Sequence, residues 1–234
     1  MSTLLADPIF SPFSCAVFSS AGEPPMTMQI GMVGTDGIVL ASDTWHSTTS
    51  GGVRHGYSSS KIMLNDTRQI AVTCALDMQS ARELAKHICD MQLDPIRTFH
   101  HRVRTMSESV VGDHGFHCII AVAGPFRRLY LFKFLPHPRE IECIPIDDFV
   151  HAGDTPNAAV MWAMRYYKRT SMEALKGLAA QTVVSAHLLN TAMIDGLEIV
   201  CENHSGFYAL PEDEKKTRQR LAHQRESRIG KLFT

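Results

Sequence analysis

Thr27-Met-Gln-Ile-Gly-Met-Val-Gly-Thr-Asp36-Gly37-Ile-Val-Leu-Ala-Ser-Asp43 leads, after a polar loop containing glycines, to Ser60-Lys61-Ile-Met-Leu and then to Ile70-Ala-Val-Thr-Cys-Ala75. This stretch decides the fold. Met28, Ile30 and Met32 alternate with Gln29, Gly31 and Val33, which is roughly the period of two of a strand. Asp36-Gly37 is a strong hairpin signal, because both residues tolerate the left-handed backbone of a tight turn. Ile38-Val39-Leu40-Ala41 is apolar throughout, as in a strand covered on both faces. Asp43 ends that strand, where a carboxylate is costly unless it is paired. Lys61 opens a second apolar run, Ile62-Met63-Leu64, and Asn65-Asp66-Thr67 turns the chain into Ile70-Ala71-Val72. Two such hairpins side by side would bring Asp43 and Lys61 together.

Further out, the order of patterns is strands, two helices, strands, two helices, strands. Asp77 to about Met91 has helical periodicity, with Ala81, Leu84, Ala85 and Ile88 on one side. Asp94-Pro95 caps a second helix reaching about Val111, and the glycines at 112 and 115 break it. Phe116 to Ala123, Arg128 to Phe134 and Ile141 to Ile146 read as strands. Thr155-Pro156 starts a helix running through Tyr167, and Thr170-x-x-Glu173 is a capping box opening another to about His187. Leu197 to Cys201 and Phe207 to Leu210 are late strands, and Glu212 to Arg228 is a charged helix or tail. This is not the βαβ alternation of a parallel sheet. It fits an α+β fold in which two antiparallel sheets lie between helical layers, a four-layer αββα sandwich.

Composition narrows the function. The chain has 234 residues, 44% of them hydrophobic, enough for one domain with a sizeable core. A net charge of −1 gives no electrostatic case for nucleic acid or an anionic membrane. No apolar run approaches the roughly 18 residues of a spanning helix. Six cysteines without a C-x-x-C pair point to a reduced, cytoplasmic protein. Residues 1–26 are poor in charge and carry Pro at 8, 12, 24 and 25, with no basic segment of a secretory signal. They read either as a propeptide or as an extension upstream of a true start at Met26. His100-His101 and His114-x-x-His117 lack the partner ligands of a zinc site, so no metal and no cofactor is expected.

The opening stretch resembles the proteasome β-subunit family of N-terminal nucleophile hydrolases. Thr27, Gly31, Asp36-Gly37, Asp43 and Lys61 fall on the family pattern; the sixteen residues from Thr27 to Asp43 match its spacing, and the eighteen from Asp43 to Lys61 are about two longer than usual, a small insertion in the loop. His151-Ala152-Gly153 is similar to its "Gly-Ser-Gly" segment, and Asn190 to Gly196 to its late "Asp-x-x-Ser-Gly" segment. Ile199-Val-Cys-Glu-Asn203-His204 is similar to the HslV branch, so the nearest expected kin are the betaproteobacterial proteasome homologues.

The resemblance implies a peptidase domain over residues 27–210 and catalysis by Thr27, Asp43 and Lys61. A threonine hydroxyl is a weak nucleophile, but an N-terminal threonine supplies its own base. Its α-amine has a pKa of about 7.7–8.0. Lys61 would favour the alkoxide, and Asp43 would orient Lys61. Ala75 occupies the position of the family's oxyanion glycine and would act through its backbone N–H. Ala152, Asn190 and Met193 stand where the family has hydrogen-bonding groups that steady the amine, which puts the rate in question. Substrate would add as a strand between Ser47 and the backbone from Ala75 to Asp77. The resemblance also implies stacked homo-oligomeric rings acting on polypeptides, with or without an unfoldase. Two rivals remain: a catalytically silent ring scaffold, and an N-terminal nucleophile amidase acting on small amides. Singly, a threonine at a strand start or an exposed Asp–Lys pair is ordinary; the joint spacing carries the reading.

Overall fold

The computed structural model describes residues 27–50, 53–93, 96–109, 114–125, 127–153, 158–190 and 194–232. The expectations for residues 1–26, for the helix starts at Asp94-Pro95 and Thr155-Pro156, and for Met193 lie outside the described residues.

The quoted stretch forms the hairpin β1 (Met28–Val33) and β2 (Ile38–Ser42), then the hairpin β5 (Ile62–Leu64) and β6 (Ile70–Thr73). The two hairpins enter different sheets. β1 and β2 sit at the middle of a five-stranded sheet with β11 (Phe149–Gly153), β12 (Glu198–Asn203) and β13 (Gly206–Ala209), in the order β11-β1-β2-β12-β13. β5 and β6 join β8 (Phe116–Val122), β9 (Arg128–Pro136) and β10 (Arg139–Ile146), in the order β10-β9-β8-β6-β5. The two-residue strand β7 (Ala75–Leu76) pairs with β8 beyond the end of β6. All these pairings are antiparallel.

Alternation along β1 explains the layers. Met28, Ile30 and Met32 pack with Leu175, Ala179 and Val183 of α4 (Met172–Leu189) and with Val160 of α3 (Ala158–Tyr166). Val33, with Ile38 and Leu40 of β2, meets Ile119, Ala121 and Leu129 of the second sheet. A Cβ on Gly31 would come within 3.0–3.2 Å of the Val150, Ile119 and Leu129 methyls, so glycine lets the sheets close at that point without displacing those side chains. On the far side, α1 (Met78–Cys89) and α2 (Phe99–Ser107) cover Val72, Ile120 and Phe132. The result is the four-layer αββα sandwich. Each fully buried Leu, Ile or Phe contributes about 1.5–3 kcal/mol.

The loop expected between Asp43 and Lys61 is a ribbon instead, β3 (Trp45–Ser50) paired with β4 (Val53–Ser58). Its strands, β3 rich in Thr and Ser and β4 mostly polar, lack apolar alternation, which hid them, although Gly51-Gly52 between Ser50 and Val53 is itself a hairpin signal. β11 was also missed as a strand. The cap of α4 is Ser171, whose hydroxyl accepts from the Ala174 N–H, rather than Thr170. The residues from Glu212 to Gly230 form a helix, α5, packed on α4 through ion pairs such as Lys176–Glu214. No helix among the described residues is long and apolar enough to cross a membrane.

Candidate active site

Three elements converge where the two sheets open. Thr27 precedes β1, Asp43 follows β2, and Lys61 precedes β5. Antiparallel pairing of β1 with β2 puts Gln29 opposite Ser42, so the start of one strand lies beside the end of the other. Asp43 is 0% and Lys61 1% exposed. Lys61 Nζ donates to Asp43 Oδ2 at 2.7 Å and to Thr27 Oγ1 at 3.4 Å. The Asp43 carboxylate also accepts the Met28 N–H at 2.9 Å and the Trp45 N–H at 3.2 Å. Burial pushes Asp43 up, opposed by Lys61 and those two N–H groups. Burial likewise pushes Lys61 below the usual lysine range, opposed by Asp43 and Glu198. Three donors on one carboxylate favour its ionised form, and with it the ammonium.

Glu198, at the start of β12, had no role in the sequence reading. Its carboxylate accepts the Lys61 N–H at 3.0 Å and the Ser60 hydroxyl at 2.5 Å, which fixes the backbone that carries the lysine. Gln29 was missed as well. It is fully buried between the sheets, and its amide donates to the Cys74 carbonyl. The one signal in the sequence was a long polar residue inside an apolar strand. Nothing beforehand marked Glu198, which depends on β12 lying beside β2.

The other expected residues are placed as follows. Ala75 begins β7 opposite His117, and the next residue, Leu76, has φ +70. A branched residue in the left-handed region is uncommon and strained by about 1–2 kcal/mol. Asp77 caps α1, its side chain accepting from the N–H groups of Gln79 and Ser80. Ala152 lies opposite Gln29. Its neighbour Gly153 has φ +118, and a Cβ there would collide with the Thr27 carbonyl at 2.0 Å, so glycine lets β11 close on the threonine backbone. Asn190 ends α4, its N–H bonded to the carbonyls of Ala186 and His187. The segment after it reaches the site through the Asp195 carbonyl, which accepts the Thr44 N–H at 2.9 Å. Ser47 lies within β3, beside Gly56 of β4. Among the described residues, Thr27, Asp43 and Lys61 therefore form one cluster, and Cys74, the residue before Ala75, is tied to Gln29 through its carbonyl and to Lys61 through its N–H.

No protein-family model matches the chain, and no curated protein matches its sequence. Solved structures match in shape. Anbu (ancestral β-subunit) from Yersinia bercovieri superposes with a TM-score of 0.68 at 15% identity, over 88% of this chain and 96% of that one. Anbu from Hyphomicrobium sp. strain MC1 gives 0.64 at 14% identity, and its Gly-1 mutant 0.67 at 14%, each over 88% of this chain. The chain shares its fold, the four-layer αββα sandwich, with these Anbu structures. The expected nearest kin need correction: the matched structures are Anbu proteins, not HslV or the betaproteobacterial proteasome homologues. The short runs that pointed to HslV, such as Ile199 to His204, lie on β12 and its turn, where any member of this fold needs an apolar strand.

Proposed function

We propose that the chain is a threonine-type N-terminal nucleophile hydrolase that cleaves peptide bonds through an acyl-enzyme on Thr27. The observation that carries this reading is the buried ion pair aimed at a hydroxyl: Lys61 Nζ is 2.7 Å from Asp43 Oδ2 and 3.4 Å from Thr27 Oγ1. A buried ion pair is weak evidence for stability, since packed apolar side chains often do as well. One that spends its spare N–H on a threonine hydroxyl fits activation of that oxygen.

The mechanism needs Thr27 as the mature N-terminus, whether by removal of residues 1–26 or by a start at Met26 with loss of the methionine. The free α-amine takes the hydroxyl proton, directly or through a water, while Oγ1 attacks the scissile carbonyl. The Lys61 ammonium stabilises negative charge on Oγ1. The oxyanion is met by the Ala75 N–H. Collapse breaks the C–N bond as the ammonium at Thr27 returns the proton to the leaving amine. Water then hydrolyses the ester with the same amine as base. Substrate would lie as a strand between Ser47 of β3 and the backbone from Ala75 to Asp77. Ala152, Asn190 and Met193 supply no side-chain donor like those the family resemblance implies, apart from the Asn190 amide, so turnover should be slow relative to acylation.

We also propose self-association, into rings if the likeness to structures titled β-subunit extends to assembly. The outer face of α3 presents Met161, Trp162, Met164 and Tyr166 to solvent. Beside it lies a recess of about 290 Å³ lined by Trp162, Leu188, Leu189 and Ile229. So much exposed apolar surface on one helix face fits a second copy of the chain. Light scattering tests it: Trp162→Asp should shift an oligomer to smaller species, and a native monomer would rule it out. A cytoplasmic setting fits the free thiols of Cys74, Cys89, Cys118, Cys143 and Cys201.

Intact mass after treatment with a peptide epoxyketone tests the central reading. The expected result is a chain beginning at Thr27 with one adduct, absent in Thr27→Ala. Peptidase activity from a chain that keeps residue 26, or undiminished in Thr27→Ala, would refute it.

A further inference from the structure

We propose that Gln29 is a positioning residue for the oxyanion-binding peptide, holding the Cys74–Ala75 unit so that the Ala75 N–H faces the reaction. The proposal rests on the reading of Thr27 as nucleophile. The Cys74 carbonyl and the Ala75 N–H are the two ends of one planar trans peptide, so fixing the carbonyl fixes the direction of the N–H. The Gln29 side-chain amide donates to that carbonyl. A carbonyl only accepts, so the amide is oriented with its NH₂ toward Cys74. The other end of the amide, Oε1, is then buried with no hydrogen-bond partner among the described residues. A methionine would fill the same space and trade one unsatisfied acceptor, the Gln29 Oε1, for another, the Cys74 carbonyl, so stability alone gives little reason for glutamine here.

Position adds a second argument. Gln29 and Thr27 are two residues apart in extended chain, so their side chains leave the same face, toward the second sheet. One strand start therefore carries both the nucleophile and the clamp on the oxyanion donor. The distance from hydroxyl to N–H is set through that strand rather than through the turn into α1. That turn needs such a tie. The left-handed Leu76 follows Ala75 directly, and Cys74 is otherwise fastened by its N–H to the Lys61 carbonyl at 2.9 Å.

Two variants test the role in the mature protein. Gln29→Met should leave the melting temperature unchanged or raised, while lowering kcat on a fluorogenic peptide about 10- to 100-fold with little change in KM. In Gln29→Glu, a protonated carboxyl can donate to the Cys74 carbonyl and an ionised one cannot. The ratio of variant to wild-type acylation rate by the epoxyketone should therefore rise as pH falls. An unchanged kcat in Gln29→Met, or a flat ratio in Gln29→Glu, would overturn the proposal. If the wild type itself takes no label, the Thr27 reading fails. Hydrogen exchange at the Ala75 amide then still reads the clamp: faster exchange in Gln29→Met supports it, and no change defeats it.

Discussion

Among the described residues two carboxylates are buried in this sandwich, at opposite ends of the same strand pair. Asp43 follows β2 and is 0% exposed; Glu202 lies on β12 and is 1% exposed. Each faces the same desolvation problem and each takes a cation, but the cations differ. Arg127 Nε meets Glu202 at 2.6 Å with the arginine side chain still 30% exposed, and Glu202 also accepts the Gly124 N–H at 3.1 Å. That pair pins the β8–β9 turn to the first sheet with one end in water. Lys61 is 1% exposed, and the second partner of its Nζ, after Asp43, is a hydroxyl. The difference teaches how to tell a structural ion pair from a chemical one. The Glu202 pair keeps its cation partly hydrated, whereas the Asp43 pair is sealed and aimed at a threonine hydroxyl.

Breaking the sealed pair should have the largest effect. Lys61→Met leaves an uncompensated buried carboxylate, which should lower stability by about 3–5 kcal/mol and peptide turnover by roughly a thousandfold. Adding Asp43→Leu removes the unpaired charge but also the acceptor for the Met28 and Trp45 N–H groups, so it should return part of the stability in urea titrations and none of the turnover. Recovery of turnover in the double variant would contradict the role of the pair. Arg127→Met should cost less, about 2–3 kcal/mol, because solvent already screens the arginine and the Gly124 N–H remains on Glu202. Its turnover per folded molecule should stay within about twofold of wild type. A large fall there would mean that the two pairs are coupled through β2.

The contrast also shows what the sequence disclosed. Asp43 and Lys61 were legible because each sits at the edge of an apolar run, where a charge is conspicuous. The layers were legible because β1 and β2 announce themselves by period and turn. Glu202 was passed over because it lies in a polar run with Asn203 and His204, and only the approach of the β8–β9 turn, through Gly124 and Arg127, gives its carboxylate partners. β3–β4 escaped because hydroxyl-bearing strands carry no period. Gln29 and Glu198 act on backbone atoms of residues distant in sequence, and spacing holds no record of that. The HslV-like run was over-read, since strand chemistry alone explains it.

A third effect is no larger than the loss of the Arg127 pair. His46 Nε2 bonds Ser59 Oγ at 2.9 Å, and its ring stacks on Tyr57. Burial, and next the Lys61 charge, push its pKa down to about 4. In the unfolded chain it titrates near 6.5. Between those values the unfolded chain binds a proton that the native protein does not, so stability falls as pH drops from about 6.5 toward 4. With allowance for partial solvent access the loss should be roughly 2 kcal/mol. His46→Gln should flatten the stability profile over that window. An equally steep profile in the variant would place the titrating group elsewhere.

The smallest expected effect concerns Ala152, which faces Gln29 across the β1–β11 pair. Side chains directly opposite in an antiparallel pair have Cβ atoms about 4.5–5.5 Å apart. Ala152 is buried among apolar residues of both sheets, and Gln29 Oε1 has no partner among the described residues. Ala152→Ser would place a hydroxyl donor on the same face, within reach of that acceptor. If the two meet, one unsatisfied group becomes a hydrogen bond, and stability should rise by about 0.5–1 kcal/mol. The hydroxyl would also stiffen Gln29, so kcat should rise modestly with KM unchanged. A double-mutant cycle isolates the contact. In a Gln29→Met background the serine has no acceptor to satisfy, and its gain should vanish or reverse. A gain that persists in that background would mean the serine finds a backbone partner, leaving Gln29 held by the Cys74 carbonyl alone.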